Sequence, residues 1–162
     1  MADVELTSTL MSLELFDGLE QDQAQNITRA CTERVLAPGE VLCQAGTVDD
    51  RLIVFLAGKL RIESEEGVLL SEVTEARILG EMGVLIGQAR SSRVVADEQT
   101  RILELTGEAL QRLVDDTPEM AQCMLANLCA LLYTRLHGAN EKIGELRADR
   151  DRLQARLDER AG

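Results

Sequence analysis

The sequence predicts a mainly β fold with flanking helices, a jelly roll or barrel of about eight strands followed by a long C-terminal helix. Two observations carry this. Between residues 32 and 105, short apolar or alternating runs follow one another at brief intervals. They are punctuated by turn signals such as Pro38-Gly39, Ala45-Gly46 and Glu65-Glu66-Gly67. That spacing indicates a roll rather than a parallel sheet. From residue 118 onward, a three-four apolar spacing runs along one long helical segment.

Taken in order, Leu10, Leu13 and Phe16 form an apolar cluster closed by Asp17-Gly18. Residues 21–31 read as a helix with Ala24, Ile27 and Ala30 on one face. Strands are expected at 32–37, 41–43 and 52–57, the last nearly continuous in apolar residues. Residues 59–63 alternate, with Leu60 and Ile62 on one face, and 68–73 and 76–79 follow as further strands. Residues 82–86 are long enough for about one helical turn, with Met82, Leu85 and Ile86 expected in the core. Strands at 93–96 and 101–105 complete the set, and 107–113 is a short helix. Thr117-Pro118-Glu119 is a helix start, with Pro in the first turn. These signals divide the chain into a roll over 10–116 and a long helix over 117–162.

Composition excludes several functions. The chain has 162 residues, one histidine, four cysteines and a net charge of −12. That acidity argues against nucleic acid, whose affinity rests on clustered Lys and Arg. No Cys-x-x-C and no Cys/His group with zinc spacing occurs, so no metal site is expected. Scarce histidine also removes most nucleophile–base designs, and no catalytic residue is expected. The thiols read as reduced and buried. No signal peptide and no membrane-length apolar run is evident, which makes a cytoplasmic protein the expectation.

The chemistry concentrates in residues 80–96. Gly80 and Glu81 end an extended segment, a helical turn and a small-residue loop follow, and Arg90, Ser91 and Ser92 lead into a strand. This order brings an acid, a helix N-terminus and an arginine close together. A helix start offers backbone N–H groups to anions. Arg90 adds a planar, permanently charged fork suited to phosphate, and Ser91 a hydroxyl. Glu81 supplies an acceptor for a sugar hydroxyl. Taken singly, Glu81 reads as a favourable charge at a helix end and Arg90 as a surface arginine. Together, at this spacing, they describe a site for a phosphate beside a free ribose hydroxyl.

Gly80-Glu81-Met82 and Arg90-Ser91-Ser92 resemble the phosphate-binding cassette of the cyclic nucleotide-binding domain family. Ala89 stands where many members have Pro. The turn glycines Gly39, Gly46, Gly58 and Gly80 extend the resemblance over about residues 13–146. It implies an eight-stranded jelly-roll β-barrel flanked by helices. It implies that Glu81 binds the ribose 2′-hydroxyl, Arg90 the cyclic phosphate and Ser91 the same phosphate. The base is expected against Ile62, Leu70 and Met82, and polar residues of the long helix, Arg135 and Asn140, at the purine edge. Tyr133 is the one aromatic lid candidate. The implied ligand is cAMP or cGMP, with cAMP the first choice, and no cofactor.

The long helix would span roughly 64 Å at ~1.5 Å per residue. Leu125, Cys129, Leu132, Leu136, Ala139, Ile143 and Leu146 form a stripe, continued by Leu153 and Leu157 and interrupted by Arg150. Such a stripe needs a partner helix, and the family resemblance implies a homodimer. Gly138, Gly144 and the charged residues after Arg147 leave a frayed tail as an alternative. No DNA-reading helix follows. The sequence therefore points to a regulatory sensor of a cyclic mononucleotide that signals through its C-terminal helix to an unidentified protein effector. The alternative is a dimeric interaction scaffold using the same fold without a physiological nucleotide.

Overall fold

A computed structural model describes residues 2–161, and side chains within residues 4–158; Met1 and Gly162 lie outside the described residues. The chain opens with α1 (Ala2–Met11), a single 3-10 turn (Glu14–Phe16) and α2 (Gln21–Ala30). The strands β1 (Thr32–Leu36), β2 (Val41–Cys43), β3 (Arg51–Ala57), β4 (Leu60–Glu63), β5 (Leu69–Val73) and β6 (Arg77–Leu79) follow. The short helix α3 (Glu81–Ile86) precedes β7 (Arg93–Ala96) and β8 (Thr100–Thr106), and the chain ends with α4 (Gly107–Asp116) and α5 (Pro118–Ala161).

The eight strands form two antiparallel four-stranded sheets, in the orders β1-β8-β3-β6 and β2-β7-β4-β5. The result is a jelly roll of two facing sheets rather than a closed barrel. β3 shows how the layers are built. Leu52, Ile53, Val54 and Phe55 are all buried, because this strand is covered on both faces. Leu52 and Val54 join Leu103, Leu105 and Ile78 in a cluster with the helices, whereas Ile53 and Phe55 join Leu60, Val94 and Ile102 inside the roll. Alternation along one strand thus serves two cores.

α1 was not legible in the periodicity. Its Val, Ser and Thr residues are weak helix formers, and tertiary contact decides: Leu10 is fully buried against α2 and the 3-10 turn. α2 is started by a capping box, with the Glu20 backbone N–H donating to Gln23 Oε1 at 3.0 Å. α4 is capped by Thr106, whose hydroxyl accepts from the Ala109 N–H at 3.2 Å.

α5 is continuous through Gly138 and Gly144, and its helical conformation extends to Ala161. At ~1.5 Å per residue it is roughly 66 Å long. Met120, Met124, Leu128 and Leu131 are buried, the first three in the same cluster as β3 and β8, so the helix begins as part of the roll's own core. From Leu136 to Asp158 every residue is exposed, including Leu136, Ile143, Leu146, Leu153 and Leu157. Ile86, expected in the core, is exposed at the end of α3. Among the described residues no helix is long and apolar enough to cross a membrane.

Candidate functional site

β6 and β7 flank α3 and its following loop, and these form one wall of a cavity of about 460 Å³. Gly80, Glu81, Met82, Arg90, Ser91 and Ser92 line that wall, Ile62 lines the opposite one, and Arg135 of α5 closes an edge. The volume lies within the range of ligand-binding clefts, about 300–1,000 Å³.

Arg90 is fixed by the loop between β2 and β3. Its backbone N–H donates to Thr47 O at 2.8 Å, and its carbonyl accepts from the Gly46 N–H at 2.8 Å. Its guanidinium, 5% exposed, donates through Nη2 to Arg51 O at 2.6 Å and pairs with Asp49 Oδ2 at 3.2 Å. The buried Nε has no partner. Asp49 is held in turn by Arg51, through Nε at 2.9 Å and Nη2 at 2.8 Å. Burial pushes the Asp49 carboxyl up, but hydrogen bonds and charge from Arg51 and Arg90 outweigh it and bring its pKa down to about 2. Gly80 makes this packing possible. It adopts φ +81°, and a Cβ there would lie 1.7 Å from Arg90 Nη1.

Glu81 is equally buried, with its side chain 5% exposed, but its partner comes from elsewhere. Arg135 Nη1 donates to Glu81 Oε1, and Arg135 Nη2 reaches Ile78 O at 3.4 Å. The Arg135 Nε is buried without a partner. The cavity therefore joins two arginines that each keep an unspent donor, Arg90 and Arg135, to one buried carboxylate, with apolar lining from Ile53 and Leu79 of one sheet and Ile62 and Val94 of the other.

Three expected residues are not brought to the cavity. Leu70 is 57% exposed on β5. Ile62 pairs with Ser71, and Ser71 takes the inward position, so its neighbour Leu70 points to the opposite face. Asn140 is exposed on α5 and absent from the lining. It lies five residues beyond Arg135, about 140° further around the helix at roughly 100° per residue. Tyr133 is also exposed, stacked on His137 rather than over the cavity. Ser71, Arg77, Cys43 and Asp49 were missed. Ser71 was readable from the alternation through Ile62 and its hairpin partner; Asp49 had no local signal, because Arg90 is remote in sequence. Burial raises the pKa of the Cys43 thiol, against the lowering effect of Arg90. Among the described residues no group of His, Cys, Asp and Glu could hold a metal ion.

A model of the cyclic nucleotide-binding domain matches residues 33–117, just over half of the chain. Glutaminase 1 of Bradyrhizobium diazoefficiens is 29% identical over 141 residues; the match covers 87% of this chain but only 23% of that protein. The catabolite activator protein of Thermus thermophilus superposes with a TM-score of 0.69 at 27% identity, over 82% of this chain and 62% of that one. A cyclic nucleotide-binding domain from Methylobacillus flagellatus superposes with a TM-score of 0.76 at 22% identity, over 88% and 82% of the two chains.

Proposed function

The chain belongs to the cyclic nucleotide-binding domain family, and from that premise we propose that its cavity takes a cyclic mononucleotide, cAMP before cGMP, and that α5 carries the signal onward. One observation supports this reading above the others. Glu81 and Arg90 are both about nine-tenths buried or more and face the same cavity, and Arg90 keeps a buried donor unpaired. A buried cation with a spare N–H favours an anion, and a buried carboxylate beside it favours a hydroxyl donor.

In this reading the cyclic phosphate meets Arg90, with the Ser91 and Ser92 hydroxyls at its edge. The ribose 2′-hydroxyl donates to Glu81 beside Gly80. The base lies between Ile62 and Met82, with Ser71 as the polar group beside Ile62. Leu70 and Asn140 of the same chain take no part. Arg135 reaches the site through Glu81. The chain's role is regulatory rather than catalytic, and it spans less than a quarter of the glutaminase it resembles. Four free thiols fit a reducing, cytoplasmic setting.

We also propose a homodimer through α5. Leu125, Leu136, Ile143 and Leu146 are exposed on a stripe turned away from the face that packs on the roll. A seam of this length is stable in water when a second helix covers it. An effector protein would read the position of that helix.

Calorimetry of nucleotide-stripped protein with cAMP, cGMP and cyclic di-GMP tests the ligand. Saturable binding of one cyclic mononucleotide, weakened for its 2′-deoxy form, is expected. No binding to any of them would replace this reading with that of an interaction scaffold. Sedimentation tests the dimer: Ile143→Asp with Leu146→Asp is expected to give a folded monomer, and truncation after Asp149 to leave a dimer.

A further inference from the structure

A third arginine lines the same cavity. Arg77 is the first residue of β6. Its register partner on β3 is Phe55, and Leu79 pairs with Ile53. Ile53 and Phe55 point into the roll, so alternation turns Arg77 and Leu79 inward and sends Ile78 to the cluster under the helices. Arg77 is thus an inward-facing arginine that stays exposed, with its charge at the mouth of the cavity. Among the described residues its side chain makes no ion pair and no hydrogen bond, whereas Arg90 is held by Asp49 and Arg135 by Glu81. Three arginines and one glutamate line this cavity in a chain of net charge −12, and Arg77 is the charge left over.

We propose that Arg77 reads the base: its guanidinium donates to O6 and N7 of guanine, and it is the residue by which the cavity tells an oxo-purine from an amino-purine. The proposal rests on the nucleotide reading of the cavity and deepens it. The order of cAMP before cGMP belongs to the lining as a whole. Arg77 narrows that preference, because it carries the affinity the site keeps for cGMP.

Position and donor chemistry both lead to this role. Glu81 and Arg90 hold the sugar and the phosphate at the cassette. Ser71 on β5 and Arg77 on β6 stand on either side of the turn that joins those strands, at the part of the cavity assigned to the base. The substituent on C6 is the part of a purine farthest from the sugar, whichever way the base is turned about its bond to the ribose. There guanine presents O6 beside N7, two acceptors that match the guanidinium fork. Adenine presents an amino group instead, and a donor facing a donor gains nothing. The Ser71 hydroxyl both donates and accepts, so it serves either base, whereas Arg77 only donates. Glu14 and Glu75 line an adjoining cavity of about 360 Å³ together with Arg77 and are the competing partners for its charge. An exposed ion pair to either is worth little, and a two-bond contact to a base edge is worth more.

Calorimetry of the nucleotide-stripped full chain with cAMP, cGMP and the cyclic inosine monophosphate tests this. The inosine nucleotide carries O6 and N7 but lacks the exocyclic amino group of guanine, so it isolates the edge assigned to Arg77. Arg77→Ala is expected to weaken cGMP and the inosine nucleotide alike by roughly five- to tenfold, the low end for a two-bond base contact because the arginine is exposed. The cAMP affinity is expected to hold within about twofold, since an exposed charge acts weakly on a phosphate it does not touch. Arg77→Gln, which can donate to N7 and accept from the adenine amino group, should move the balance further toward cAMP than Arg77→Ala does. Thermal unfolding checks the fold of each variant, and no change is expected for an exposed side chain without partners. An equal fall for all three nucleotides would make Arg77 a general positive charge and overturn the proposal. So would unchanged affinities, or a loss confined to cGMP. Binding of cAMP without either oxo-purine by wild type overturns the role of Arg77 alone. Failure of wild type to bind any of the three overturns the nucleotide reading beneath it, and the role of Arg77 with it.

Discussion

The cavity holds two buried charges of opposite sign, and they are anchored differently. Arg90 is tied to the loop between β2 and β3, through Asp49, the Arg51 carbonyl and two backbone hydrogen bonds. All of its partners belong to the roll, and one of them, Arg51, lies in the paired strand β3. Glu81 is tied to a helix that is free of the roll one residue after Arg135. One charge is thus part of the scaffold and the other part of a connection. A ligand that needs both would be positioned by the first and reported by the second.

The largest expected effect lies on the scaffold side. Arg90→Ala leaves a buried phosphodiester without its counter-charge, a loss of about 2–5 kcal/mol. That is roughly thirtyfold to several-thousandfold in affinity at about 1.4 kcal/mol per tenfold. Arg90→Lys recovers only part, because a point charge does not reproduce the fork. Calorimetry with cAMP checks both, and wild-type affinity in a folded Arg90→Ala protein would remove Arg90 from the site.

Gly80→Ala tests the same anchor without touching its charge. The added Cβ falls on Arg90 Nη1 and lies 2.9 Å from Arg51 O, at a left-handed φ. Backbone strain of about 1–3 kcal/mol and a displaced guanidinium are expected. Thermal unfolding and nucleotide affinity should fall together. A loss of stability with unchanged affinity would separate the glycine from the arginine.

Acid tests the Asp49 contact. Its folded pKa of about 2 lies below the ordinary 3.8, so its contribution is complete above pH 3.8 and lost as pH falls through about 2. At about 1.4 kcal/mol per unit this amounts to about 2 kcal/mol. Denaturant unfolding between pH 4 and 2 should show that loss in wild type and lack it in Asp49→Asn. Parallel curves would mean that the pair leaves stability unchanged.

The smallest effect belongs to the connection. Glu81→Gln keeps an acceptor and loses the charge, which costs about 1 kcal/mol of ligand affinity as the difference between charged and neutral hydrogen bonds. Discrimination between cAMP and its 2′-deoxy form should narrow. A Glu81→Gln loss as large as that of Arg90→Ala would erase the distinction between scaffold and connection.

What the chain determined locally is what neighbours in sequence decide. Turn glycines, alternating runs and apolar stretches of three to seven residues placed the eight strands, because a strand's burial pattern is written into its own side chains. The fixed interval from Glu81 to Arg90 marked the cassette, since one helical turn and a short loop span it whatever surrounds them. The long stripe from Leu125 to Leu157 marked one long helix with an apolar face. Tertiary structure alone decided the partners. Asp49 lies 41 positions before Arg90, and Arg135 lies 54 after Glu81, so no local rule connects them. The sheet register, with Ser71 opposite Ile62, turned Leu70 outward. The angle at which α5 crosses the roll brought Arg135 to the cavity and carried Asn140 past it. A buried charge is satisfied by whichever group the fold delivers, and that delivery is a property of packing rather than of sequence distance.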